Sequence, residues 1–352
     1  MFFESDNTAP IAPKILKAIE NANYKYEKSY GADKITYKAK ELIKKVFEAP
    51  EASIYFVSTG TAANAIALSC VCSPWARIFC HEESHIENDE CNAPEFFTGG
   101  AKITLIKGKD GKISINELLK NFKKFDNSSV HIAQKGVISI TNPTECGSVY
   151  SIQELKEISE IANYYNVPIH MDGARFANAI SYLNETPANL SWRSGVDILS
   201  LGGTKNGLMG AEAVILFNKE KSWEFELRRK KSGHLFSKYR YLSAQMHAYF
   251  KDNLWLELAE KSNKSAKLLS QSLIKVPHSK LKYNVEANSV FIYLTKKQHE
   301  NAFKNGAKYY LWPHSKKLIG SEKSLHLSRF VCNWKTSKND IKKLTESFSL
   351  KN

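Results

Sequence analysis

No apolar run in this sequence approaches the roughly eighteen residues that a membrane-spanning helix needs. A membrane partner is therefore not expected. Cys-x-x-Cys pairs are absent too. The six cysteines, at positions 70, 72, 80, 91, 146 and 332, fit no zinc spacing with histidine, so no metal is assigned and free thiols are expected. The start, Met1-Phe2-Phe3-Glu4-Ser5-Asp6, lacks the basic and long apolar regions of a secretory signal, which points to the cytoplasm. No Gly-Lys-Ser/Thr follows any glycine-rich turn in the manner of a nucleotide-binding P-loop. Internal repeats and low-complexity linkers are also missing.

Arginine is scarce. Net charge is +14, yet only seven of the fifty basic residues are arginines. The lysines are scattered, as at Lys120, Lys123 and Lys124, and no basic run is interleaved with aromatics as a single-strand nucleic-acid groove would be. A lysine-rich surface without a nucleic-acid partner is the expectation. In such a chain the few arginines are expected where a rigid bidentate fork matters.

What is present alternates between short apolar runs and helical periods. Helices are expected at Pro13 to Asn23, Lys34 to Ala49, Ala62 to Cys72, Ser114 to Phe122 and Ile152 to Tyr165. Strands are expected at Ile54 to Val57, Arg77 to Cys80, Ile103 to Ile106, Gly136 to Ile140, Val167 to Met171, Val196 to Leu201 and Ala213 to Phe217. This alternation indicates an α/β fold with a mainly parallel sheet. Trp223 to about Ala259 reads as strongly helical. Beyond it, a helix at Lys261 to Leu273, strands at Ser289 to Leu294 and Leu325 to Phe330, and a helix from about Lys338 suggest a smaller α+β domain. The division expected is 1–250 for a large domain and 251–352 for a small one.

The chemistry concentrates between Val167 and Gly210. His170-Met171-Asp172-Gly173-Ala174-Arg175 and Gly202-Gly203-Thr204-Lys205-Asn206-Gly207 each follow a buried-strand run. Ligands in open parallel sheets sit beyond the carboxyl ends of strands, so Asp172, Arg175 and Lys205 are expected to converge there. An acid, a guanidinium and a glycine-flanked lysine suit a cofactor with a ring nitrogen and a reactive aldehyde. The glycines are expected to allow close backbone approach to that ligand. Asp172 also reads as a helix N-cap, and Arg175 as an ion-pair partner for Asp172. Ser58-Thr59-Gly60-Thr61 joins a strand to a helix start, which serves a phosphate or an ordinary cap. Titratable groups crowd the strand end from His81 to Glu90, though no metal spacing stands out.

Taken with Ser5-Asp6-Asn7-Thr8, Gly60-Thr61-Ala62-Ala63-Asn64, Ser84-His85-Ile86 and Arg329, these motifs resemble the low-specificity threonine aldolases, fold-type-I pyridoxal-phosphate enzymes. The resemblance runs from residue 5 to residue 329. It implies pyridoxal phosphate held as a Schiff base by Lys205, with Asp172 on the ring nitrogen and Arg175 on the ring oxygen. By the same resemblance, Gly60 and Thr61 hold the phosphate, Thr204 helps position the cofactor, and His85 stacks on the ring and assists proton transfer. Arg329 grips an amino-acid substrate's carboxylate, aided by Ser5. Tyr30, with Arg228 or Arg229, would reach a neighbouring subunit's site in a homodimer or homotetramer. The implied reaction is cleavage of L-threonine or L-allo-threonine to glycine and acetaldehyde; another pyridoxal-phosphate lyase or an aminotransferase is the alternative. One departure stands out: Thr144-Glu145-Cys146-Gly147 replaces a family Thr-His-Asn-Gly segment, which puts the preference for the β-substituent in question.

Overall fold

The computed structural model describes residues 1–125, 128–313 and 317–348. Seven short strands form the large sheet: β1 (Ser53–Val57), β2 (Ala76–His81), β3 (Lys102–Ile106), β4 (Gln134–Thr141), β5 (Ile169–Gly173), β6 (Ile198–Leu201) and β7 (Glu212–Leu216). Every residue of β2, β5, β6 and β7 is buried, which explains why their sequences show no apolar–polar alternation. The strand order is β1-β7-β6-β5-β4-β2-β3. Strands β3, β2, β4, β5 and β6 run parallel, whereas β7 is antiparallel to both β6 and β1. The register sets Thr141, Asp172 and Ser200 side by side at the carboxyl end of the central strands.

Helices cover this sheet: α1 (Pro13–Ala22), α2 (Lys34–Val46), α3 (Gly60–Val71), α4 (His85–Asn88), α5 (Ala93–Thr98), α6 (Ile115–Lys124), α7 (Ile152–Tyr164) and α8 (Phe176–Leu183). Helix α3 is buried on all sides from Ala62 to Cys70, as its alanine-rich sequence allows. Helix α7 opens with a reciprocal capping box between Ser151 and Glu154. No helix among the described residues is long and apolar enough to cross a membrane.

The helical stretch expected from Trp223 to Ala259 is instead three helices, α9 (Ser222–Lys231), α10 (Arg240–Phe250) and α11 (Leu254–Leu273). Gly233 and the pair Asp252 and Asn253 take left-handed backbone conformations that end one helix before the next begins. Aspartate and asparagine adopt that conformation more readily than other side chains, so helical periodicity alone conceals the break.

A second, antiparallel sheet has the order β10-β11-β9-β8, with β8 (Lys280–Leu281), β9 (Ser289–Thr295), β10 (Tyr310–Leu311) and β11 (Leu325–Val331). Helices α12 (Lys296–Lys304) and α13 (Lys338–Ser347) complete this unit. Its core contains Leu269, Leu273, Ile292, Phe330 and Leu344, and also Phe3 from the far end of the chain. Phe3 N–H donates to the Lys308 carbonyl at 2.7 Å, and Val331 N–H donates to the Phe3 carbonyl at 2.9 Å. Helix α11 serves both cores: Leu254, Trp255 and Leu258 pack with the large sheet, and Ala266, Leu269 and Leu273 with the small one. Each core therefore draws on chain from both sides of residue 250.

Phe3 is fully buried. Replacing it with alanine should cost about 3–5 kcal/mol. Denaturant unfolding monitored by circular dichroism checks this, and a loss under about 1 kcal/mol, typical of a surface change, would show that the N-terminal segment is not part of the second core.

Candidate active site

A cavity of about 370 Å³ opens at the carboxyl ends of the strands. Asp172 and Ser200 contribute from β5 and β6, and Thr204 and Lys205 from the turn after β6. Asp172 is buried; its Oδ1 accepts from Ala174 N–H and its Oδ2 from Asn64 Nδ2, both at 2.9 Å. It is the penultimate residue of β5 and caps no helix, since α8 begins at Phe176 with Arg175 at the cap position. Beneath it, buried His170 bridges Ser139 Oγ at 2.9 Å and Ser200 Oγ at 3.0 Å, tying β4, β5 and β6 together. Burial holds the His170 imidazole down at about 4, against the opposing charge of Asp172.

The lysine turn is rigidly packed. A Cβ on Gly202 would lie 2.1 Å from the Ala174 carbonyl oxygen, and one on Gly203 would lie 2.4 Å from a Leu208 methyl. Gly207 adopts φ +98°, a conformation that favours glycine. These glycines thus let the turn pack closely against its own protein neighbours, while Gly202 also lines the cavity. Buried Glu212 accepts from Gly203 N–H at 2.6 Å and from Thr204, whose Oγ1 accepts from Ala211 N–H at 3.2 Å. Burial raises the Glu212 carboxyl to about 7, even with those hydrogen bonds and Lys205 pulling it down.

Opposite the lysine, α3 points its first turn at the cavity. Thr59 caps the helix by accepting from Ala62 N–H, and Gly60 and Thr61 line the opening. A Cβ on Gly60 would meet nothing within 4 Å, so this face is open space bordered by first-turn N–H groups that have no intrahelical acceptor. The cap is observed, and the open space beside Gly60 leaves room for an anion at the same helix start. His85, at the start of α4, shares a hydrogen bond of 2.8 Å between Nδ1 and buried Glu90 Oε1. Asn64 Nδ2 donates to that same oxygen at 2.8 Å. Burial pushes the His85 imidazole down, but the Glu90 hydrogen bond and the charges of Asp172 and Glu145 outweigh it, and the net displacement is upward.

A second group of charges borders this one. Arg175 does not pair with Asp172. Its Nε and Nη2 donate to Asp6 at 2.6 and 3.0 Å, a bidentate buried pair. Asn288 Nδ2 adds a third donor to Asp6 at 3.0 Å and also donates to the Cys332 carbonyl at 2.8 Å. Burial alone would raise the Asp6 carboxyl, but Arg175, Lys205 and Asn288 hold it below the usual carboxylate range. Arg329, on β11, stacks on Trp312 with 4.7 Å between its guanidinium carbon and the ring centroid. Its Nε is buried and meets no acceptor among the described residues. Burial lowers the Arg329 pKa, as does Arg175, while Glu145 and Asp6 oppose them. Ser5 caps the turn carrying Asp6 by accepting from Asn7 N–H at 3.2 Å.

Tyr30 stands apart from the cavity, exposed, with Lys230 over its ring. Arg229 is buried within its own chain, bonded to the Tyr239 hydroxyl and to Glu226, so it is not available to a neighbouring subunit. Arg228 is half-exposed and pairs with Glu224 at 2.7 Å. Asp6, Asn64, Glu90 and Glu212 carry much of the site's polar framework, and sequence reasoning assigned none of them a role. Asp6 and Asn64 lie inside quoted motifs, and Glu90 lies in the crowded segment after β2. Glu212 had no local signal.

Residues 3–297 match the family described as beta-eliminating lyase. The chain is 39% identical over 345 residues to the low specificity L-threonine aldolase of Pseudomonas sp. (strain NCIMB 10558), covering 97% of this chain and 95% of that protein. The chain belongs to the beta-eliminating lyase family. Identity to another low specificity L-threonine aldolase, from Pseudomonas aeruginosa, is 37% over 351 residues, 99% of this chain and 97% of that one. A solved structure of threonine aldolase from Leishmania major matches with a TM-score of 0.90 at 28% identity, covering 98% of each chain. The donors of this beta-eliminating lyase family member fit pyridoxal phosphate: an open helix start for phosphate, a lysine amine for an aldehyde, and a buried carboxylate for a ring nitrogen.

The Asp6–Arg175 pair gives a pH-dependent prediction. A depressed carboxylate adds stability that is complete above its unfolded pKa of about 3.9 and disappears as pH falls through the folded value. Asp6→Asn should therefore cost about 3–5 kcal/mol at neutral pH, because Arg175 stays buried without its partner. The gap between wild type and variant should begin to narrow below about pH 4 and close as pH falls through the folded value. Unfolding curves recorded across pH measure it, and a gap that does not change with pH would refute the assignment.

Proposed function

We propose that the protein is a pyridoxal-phosphate-dependent low-specificity L-threonine aldolase, which cleaves L-threonine or L-allo-threonine to glycine and acetaldehyde. The observation that carries this reading is one cavity lined by Lys205, Asp172, His85 and the start of α3, in a chain closely similar to two aldolases over nearly its full length. When bound, the cofactor supplies an aldehyde for an amine and a ring that accepts the electrons of the broken bond.

The chain's own residues do the rest. Lys205 presents its amine to the aldehyde from the rigid turn after β6. Asp172, fixed by Ala174 N–H and Asn64, holds a proton on the ring nitrogen. Gly60 and Thr61 would take the phosphate, Thr204 would help position the cofactor, and Arg175, braced by Asp6, would hold the ring oxygen. Arg329, with its unpartnered Nε, binds the substrate carboxylate with help from Ser5 and orients the Cα–Cβ bond. His85 accepts the proton of the β-hydroxyl. Glu145, within electrostatic reach of His85, Arg175 and Arg329, takes the place where relatives of this resemblance carry a histidine, and so bears on the β-substituent.

The same reading places the enzyme in the cytoplasm as a homodimer or homotetramer, with Tyr30 and Arg228 at a subunit contact. Free thiols and the exposed rings of Tyr24, Tyr26 and Tyr30 support this part.

Incubation of the cofactor-loaded protein with L-threonine should give equimolar glycine and acetaldehyde, and Lys205→Ala should abolish it. Ammonia with a keto acid would assign the site to elimination or transamination instead. Arg329→Lys, which loses the bidentate fork, should lower kcat/KM about 10- to 100-fold.

A further inference from the structure

Two buried carboxylates, Asp172 and Glu90, are joined by a single amide. Asn64 Nδ2 donates to Asp172 Oδ2 at 2.9 Å and to Glu90 Oε1 at 2.8 Å. That Glu90 oxygen also meets His85 Nδ1 at 2.8 Å. The result is a continuous line from His85 through Glu90 and Asn64 to Asp172. The Glu90 side chain is fully buried, and its other oxygen, Oε2, meets no donor among the described residues. Its hydrogen-bonding capacity is thus directed at His85 and Asn64. His85 is partly open to the cavity, and its Nε2 has no hydrogen bond to the described residues.

A neutral imidazole carries one proton, and a carboxylate on one ring nitrogen draws it there, leaving the other nitrogen as acceptor. With the reading of His85 as base taken from the proposed function, we infer that Glu90 and Asn64 are positioning residues for the aldol cleavage. Glu90 holds the Nδ1 proton of His85, so that Nε2 presents a lone pair to the β-hydroxyl. Asn64 keeps the two carboxylates in register against their mutual repulsion. As the O–H bond breaks, a proton passes to Nε2 and the imidazolium is neutralised by Glu90. His85 gives the proton up as the aldehyde leaves, and Cα takes one, so the number of protons is unchanged. The charged groups facing His85 are Glu90, Asp172, Glu145 and Lys205. Burial and the Asp172 charge raise the Glu90 carboxyl, while His85 and Asn64 pull it down.

The test is nitrogen-15 NMR of the histidines in the cofactor-free protein. This readout does not depend on activity. In wild type, neutral His85 should carry its proton on Nδ1, and its pKa should lie above the ordinary value of about 6.5. Glu90→Gln should lower that pKa by about one unit or more. In the loaded enzyme the same variant should lower kcat for threonine about 100-fold with KM nearly unchanged, and Glu90→Asp should recover part of the loss. A wild-type His85 protonated on Nε2 would overturn the proposal, and so would an unchanged pKa in the folded Glu90→Gln protein. The wild-type measurement decides the matter even if the variant fails to fold. Either negative result leaves the aldolase reading intact while wild type still releases acetaldehyde and glycine. Absence of those products would instead count against the aldolase itself.

Discussion

Asp6 is the carboxylate on which the two halves of the site depend. It lies near the N-terminus, yet it is buried and accepts from Arg175, just after β5 of the large sheet, and from Asn288, which is anchored to the Cys332 carbonyl of the second core. A buried ion pair is stabilising only when its hydrogen bonds are nearly complete, and three donors meet that condition here. The pair fixes the guanidinium beside the cavity and ties the N-terminal segment to both sheets. Phe3, three residues earlier, completes the attachment through the second core.

From that anchor the site is assembled by two kinds of rigidity. The parallel strands align Asp172 and Ser200 at one level, and His170 between Ser139 and Ser200 locks the strands laterally. The lysine turn is set by glycine contacts and by Glu212 on its backbone. Neither device touches a reacting atom. Both hold groups that must lie within a fraction of an ångström of a productive arrangement.

The strand-end motifs were readable in the sequence because their meaning is local. A buried apolar run ending in Asp172, or in the Gly202–Lys205 turn, places its polar residues at a sheet edge wherever the fold is α/β. The same holds for the strand-to-helix step at Gly60. Glu90 and Glu212 were not readable, because they are two acids among 36 aspartates and glutamates, and only tertiary packing buries them. The partner of Arg175 was missed for a similar reason: Asp172 is near in sequence, but Asp6 is near in space. The helix breaks at Gly233 and at Asp252-Asn253 depend on backbone angles that apolar periodicity does not encode.

The central claim is that Lys205 carries the cofactor within this framework. It is tested most directly by reducing the pyridoxal-phosphate-loaded protein with borohydride, digesting it and mapping the modified peptide. The account predicts a phosphopyridoxyl group on Lys205. Its appearance on another lysine, or its absence from the protein, would contradict the account.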